Sequence, residues 1–259
     1  MTAGRTLGQF YPVGSPLHEL DARAKILATG ILAVGLFLVD SATGLLLIAA
    51  AVVSLVVASR VPPGIFLDTL KPVALTLLFQ VFFSWEGATL VEWGSLQVHE
   101  GGLFRGLFLA SRILLLVSTA ALLTATTAPV ELADGIEDLL SPLERLRFPA
   151  HELAMMITIA LRFIPTLYEE AQKITRAQAA RGADFAEGGP IRRARAMLPV
   201  LVPLTIGAFR RADELAEAME SRGYRGGEGR TRYRESRFRA RDAIALATAV
   251  LVVVGGILL

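Results

Sequence analysis

The chain has 259 residues, 53% of them hydrophobic, and its mean hydropathy of +0.53 is too high for an ordinary soluble fold. A formal net charge of +2 hides an uneven distribution, because 19 of the 26 Lys and Arg lie between Arg145 and Arg241. With no cysteine there is no disulfide or thiolate metal site, and no apolar run precedes Ile26, so no cleavable signal peptide is expected.

Taken in chain order, residues 26–39 and 45–58 are apolar runs separated by "DSATG". Each is short for the roughly 20 residues that cross ~30 Å of hydrocarbon, and with flanking residues included the pair is expected to form a tight helical hairpin. A third block covers residues 72–85, a fourth 103–128 and a last one 243–259. Arg23 and Lys25 precede the first block, and Arg60 and Lys71 lie between the second and third. The loop over residues 86–100 has three glutamates and no Lys or Arg. The positive-inside rule then places the N-terminus and the Arg-rich stretch in the cytoplasm, with about five spans. The expected fold is therefore an all-α polytopic membrane protein. Its regions are 1–128 (an N-terminal helix and four spans), 129–241 (cytoplasmic) and 242–259 (a final span).

Within the cytoplasmic region, residues 151–180 predict a long helix, apolar early and charged late, with a bend at Pro165. Residues 191–221 predict another, with Pro199 and Pro203 in its apolar part. All three prolines are candidate hinges. The two helices end alike, in "AARGADF" and "MESRGYRG". Ile174 precedes Arg181 by seven residues and Leu215 precedes Arg222 by seven, which is two helical turns. Each arginine thus continues the apolar stripe (Leu167, Ala171, Ile174; Ala212, Leu215, Met219), and the next glycine can stop the helix. A structural cap accounts for one such end. Two copies, each on the oily face of an emerging helix, point to docking tips in which a planar five-donor guanidinium finds carboxylates or carbonyls.

At these residues the chain resembles the transmembrane T component of energy-coupling factor transporters, the EcfT/CbiQ family. "SPLHELDARAKIL", "TAPVELADGIEDLLSPLERL", "HELAMMITIALRFIPTLYEEA", "AQAARGADF", "LPVLVPL" and "AEAMESRGYRG" stand in the family's order from about Ser15 onward. The tips resemble its paired Ala-Arg-Gly signatures: Ala180, Arg181 and Gly182 match fully, whereas Ser221 replaces alanine before Arg222 and Gly223. The resemblance implies a scaffold that joins two cytoplasmic ABC ATPases, one at each tip, to a membrane S component that captures a vitamin or transition-metal ion. ATP and Mg would be bound by the partner ATPases, with no cofactor in this chain.

Other chemistry is poorly supported. The three lysines (Lys25, Lys71, Lys173) follow Ala24, Leu70 and Gln172, so there is no Gly-Lys-Ser/Thr phosphate loop and no ATPase site of its own. His18, His99 and His151 lack ligand-spaced neighbours, and no catalytic or metal-binding residue is expected. Arg112 and Arg162 sit in apolar helices, where a central arginine costs roughly 2.5–3.5 kcal/mol. They are expected either to pair within the bundle or to meet the S component. The small-residue run 118–128 suits close helix packing or a sliding face. The Arg-rich run 225–242 reads as an anchor on anionic lipid, not a nucleic-acid site. A stand-alone secondary transporter or channel is the main alternative, but its paired intramembrane acids are missing.

Overall fold

The computed structural model describes residues 10–62, 64, 73, 89–93, 96–142, 149–183, 185, 189–226 and 238–259. The third apolar block (72–85) lies outside the described residues except for Val73. Among these residues the elements are α1 (Ala22–Leu38), α2 (Ala42–Ser59), β1 (Thr89–Trp93), β2 (Leu96–His99), α3 (Glu100–Thr126), α4 (Pro129–Leu140), α5 (Ala150–Ala180), α6 (Pro190–Ser221) and α7 (Ala240–Leu258). The all-α reading holds, with one addition: β1 and β2 pair antiparallel inside the acidic loop, with Trp93 opposite Leu96, and β2 runs directly into α3. Pro129 starts α4, where a missing N–H costs nothing.

Among the described residues four helices are long and apolar enough to cross a membrane: α2, residues 104–126 of α3, α5 and α7. The 17-residue α1 is about 26 Å long at 1.5 Å per residue and packs against α2, α3 and α7. The chain divides into two compact units, residues 1–139 with 234–259, and residues 140–233.

In the first unit α1, α2, α3 and α7 enclose a core that includes Leu36, Ile48, Val52, Leu115 and Val253. Their outer faces stay apolar, with Val57 73% and Leu251 71% exposed, as a surface solvated by lipid requires. Close approach of α2 and α7 depends on glycine, since a Cβ on Gly44 would overlap the carbonyl oxygen of Gly256.

Polar contacts sort the helix ends into two sets. At one end the backbone N–H of Asp21 donates to Asp242 at 2.9 Å. There too the Lys25 ammonium donates to the Thr126 carbonyl at 3.0 Å and the His18 carbonyl at 3.2 Å. At the other end the Thr43 hydroxyl donates to the Leu259 carbonyl at 3.3 Å, and Arg112 donates to the Val39 carbonyl. Helices α1 and α7 therefore run one way and α2 and α3 the other, the alternation that four of the five expected spans require.

Asp242 organises its end. It is 1% exposed and accepts both the Asp21 N–H and, at 2.7 Å, the Arg239 N–H that starts α7. Asp21 in turn caps α1 by accepting the Arg23 N–H at 2.9 Å. Arg23 pairs with Asp138 of α4, and Arg241 with Glu19 at 2.6 Å. The "HELDARAK" segment is thus a set of caps and ion pairs that staple α1 to α7, α3 and α4.

Candidate functional site: two matched helix ends

The second unit is built on α5 and α6. Glu152 lies in the first turn of α5, favourable for the helix dipole, and Pro190 occupies the first turn of α6, where proline is pre-organised. The observed bounds differ by one residue from the 151–180 and 191–221 expected. Pro165, Pro199 and Pro203 all lie exposed inside continuous helices.

Half-buried positions run along one face of each helix: Phe163, Leu167, Ala171 and Ile174 on α5, and Leu204, Arg211, Leu215 and Met219 on α6. The steps of three, four and seven follow the register read from the sequence, except that Ala212 is exposed and Arg211 holds the half-buried place beside it. They serve first to pack the two helices on each other. Ile159, Phe163 and Leu167 of α5 and Ala212, Leu215 and Met219 of α6 line one common crevice. At the crossing Arg211 pairs with Glu170 at 2.5 Å, with each side chain about one-third exposed or less (32% and 28%). Gly207 lies there as well, and a Cβ on it would come to 3.2 Å from Glu170 Oε1. The sequence reading passed over Glu170, Gly207 and Arg211. The available signal was a lone glycine on the half-buried face of a long helix, one turn before a cation.

The two ends have nearly the same geometry. Arg181 closes α5 at φ −88°, ψ 8°, and Arg222 closes α6 at φ −88°, ψ 7°. Each is followed by a left-handed glycine, Gly182 at φ +87° and Gly223 at φ +76°. In the first end the Gly182 N–H donates to the Ala179 carbonyl and the Ala183 N–H to the Gln178 carbonyl, both at 3.0 Å. In the second the Gly223 N–H donates to Glu220 at 2.9 Å and the Tyr224 N–H to Met219 at 3.0 Å. These are two Schellman motifs. A Cβ at either glycine would meet nothing within 4 Å, so glycine is required for its dihedral angle and not for space.

Ala180, Arg181, Gly182, Ser221, Arg222 and Gly223 are all exposed. Neither tip guanidinium makes an ion pair among the described residues, and both retain their donor forks for an outside acceptor. Ser221 spends its hydroxyl on its own helix, donating to the Ala218 carbonyl at 3.0 Å, and so adds no outward-facing donor in place of alanine. The second tip also borders a cleft of about 530 Å³ in which Arg222 stands with Met155, Met219, Tyr224 and Arg225.

Of the intramembrane arginines, Arg112 donates to the Val39 carbonyl, pairs with Asp40 at 3.4 Å and lies over the Phe108 ring at 4.9 Å. It therefore binds the carbonyl end of α1, and Arg162 lies exposed on α5. The His18 ring is structural, with Nε2 donating to the Tyr11 carbonyl at 2.9 Å and Nδ1 2.7 Å from the Ser15 hydroxyl. Among the described residues no cluster of three His, Asp or Glu has metal-binding geometry.

Residues 14–233 match the CbiQ family, described as cobalt transport protein. The chain is 47% identical to an energy-coupling factor transporter transmembrane protein EcfT of Thermosediminibacter oceani, over 98% of this chain and 97% of that one. A protein of the same description from Ruminiclostridium cellulolyticum is also 47% identical, over 96% of this chain and 93% of its own. One from Bacillus subtilis is 41% identical over 95% and 94% respectively.

Proposed function

From the premise that this chain belongs to the CbiQ family, we propose that it is the energy-coupling membrane component of an importer, with its two Arg-Gly ends as docking tips for two cytoplasmic ATPases. The observation that carries this reading is the repeated Schellman end: the same cap twice, each with an exposed arginine continuing a helix face that packs against the other helix. A force on either tip would be carried through the Arg211–Glu170 crossing to the other helix. The first unit would sit in the bilayer, with the Asp21–Asp242 end cytoplasmic, and would meet a separate S component that captures a vitamin or transition-metal ion. ATP and Mg would belong to the ATPases.

Against a stand-alone transporter or channel, the only described carboxylate within the candidate spans other than α5 is that of Asp242, at the start of α7. The test is to co-express the chain with its two ATPases and purify through a tag on this chain. Both ATPases should be retained, and the chain alone should neither hydrolyse ATP nor bind the transported substrate. Hydrolysis or high-affinity substrate binding by the isolated chain would overturn the proposal.

A further inference from the structure

An apolar cavity of about 210 Å³ lies among α1, α2, α3 and α7 in the first unit. It exists because the facing positions are small: Ala24 and Ala28 on α1, Ala51 on α2, and Ala245 and Ala249 on α7. Elsewhere in membrane bundles such residues bring helices into contact; here they leave a space, and it extends from Ala24 to Leu32, a rise of about 12 Å.

Its wall offers almost no polar contact. Ser54 donates to the Ala51 carbonyl at 2.7 Å, Thr119 to Leu116 at 2.8 Å and Thr126 to Leu122 at 2.8 Å, while Thr248 donates to Ile244. Four of the five hydroxyls on the wall are thus spent on their own helices, and Thr29 supplies the fifth. The Lys25 ammonium at the cavity's end is held by two backbone carbonyls. A polar solute or a file of water would find few partners, whereas an apolar cavity of this order accepts hydrocarbon.

A charged hollow adjoins the cavity. A second hollow of about 500 Å³ shares Leu17, Leu20 and Leu55 with it and is bordered by Arg60 and Arg241. Arg60 is exposed and closes α2 in a left-handed conformation at φ 56°. Arg241 is paired with Glu19, which also borders the hollow, so the three side chains carry a net charge of +1 (two cations, one carboxylate). A hydrocarbon-lined slot adjoining a cationic hollow is complementary to one class of ligand.

We propose that this slot is a binding site for an anionic glycerophospholipid, with one acyl chain between α1, α2, α3 and α7 and the phosphate at Arg60 and Arg241. The lipid fills what the small side chains leave open, and its headgroup lies at the Asp21–Asp242 end of the bundle.

The test uses the full-length chain, extracted from vesicles of phosphatidylcholine with or without phosphatidylglycerol, and counts retained lipid by mass spectrometry. Wild type should retain phosphatidylglycerol in preference to phosphatidylcholine. Arg60→Gln should cut that preference about fivefold, the effect of one cation at a lipid surface. Ala28→Phe, which fills the slot, should abolish retention of both lipids. Since Ala28→Phe could misfold, a phosphatidylglycerol carrying a photoreactive acyl chain supplies a second measurement on wild type. It should label Leu20, Leu55 or their neighbours in the slot, and excess inorganic phosphate should not displace it. Equal retention of the two lipids, an unchanged preference in Arg60→Gln, displacement by phosphate or labelling only on outer helix faces would overturn the proposal.

Discussion

Arg211 of α6 meets Glu170 of α5 at 2.5 Å, at the point where Gly207 leaves room for the two helices to cross. An ion pair this exposed contributes little by itself, about 0.5 kcal/mol after screening by water and salt. Its value is positional, because it fixes the register in which the two apolar stripes interlock.

The steric half of that crossing is the more sensitive. At Gly207 an alanine needs only a small rotation of the Glu170 carboxylate, but a leucine must force the helices apart. Gly207→Leu should leave membrane insertion intact and abolish transport, while Gly207→Ala should retain most of it. Transport assays on matched amounts of membrane-extracted protein check this.

At the tips, glycine is required by its φ alone. Gly182→Ala and Gly223→Ala should each cost about 1 kcal/mol at the helix end. Gly182→Asn should cost less, since asparagine tolerates the left-handed conformation. If the tips dock a partner, these substitutions should reduce ATPase co-purification more than they reduce the melting temperature of the isolated chain. Both quantities are measured on the same preparations.

Asp242 should matter far more than its neighbour Arg241. Asp242→Ala strands the Asp21 and Arg239 N–H groups at a buried junction and should destabilise the membrane unit by about 3 kcal/mol. Glu19→Ala removes the partner of Arg241 at a surface where Glu19 is 68% exposed and should cost about 0.5 kcal/mol or less. Thermal unfolding in a fixed detergent separates the two.

At the opposite end of the bundle, Gly44→Val should prevent α2 from seating against α7, because even a Cβ there overlaps the Gly256 carbonyl. The expected result is loss of folded protein from the membrane fraction, assayed by size-exclusion chromatography after extraction. Gly30→Ala, at a position with nothing within 4 Å of a Cβ, is the neutral control.

Features governed by local chemistry were legible in the sequence. The Arg-Gly helix stops could be read because a Schellman end needs only a residue able to take positive φ, and the stripe leading into each arginine follows from helical spacing. Of the helices apolar and long enough to cross a membrane, α2, α3 and α7 could be read from apolar blocks and their alternation from loop charge, whereas α5 falls in the region read as cytoplasmic. What escaped depends on partners distant in the chain. Asp242 looked like part of a basic lipid anchor, and only its approach to Asp21, 221 residues away, makes it a buried cap. Gly207 is one small residue in an apolar stretch until Glu170 comes up against it. The β1–β2 hairpin is five residues facing four in a loop whose acidic charge dominated its reading. Arg112 could be read as a costly buried charge, but its acceptors, Val39 and Asp40, lie more than seventy residues earlier.

The most direct measurement reverses both tip charges at once. Arg181→Glu with Arg222→Glu should leave the chain folded in the membrane, because both side chains are exposed and neither cap uses a guanidinium. The doubly reversed chain should emerge from tag purification without either ATPase and should fail to support transport. Retention of both ATPases with normal transport would mean that the matched ends are helix caps and nothing more.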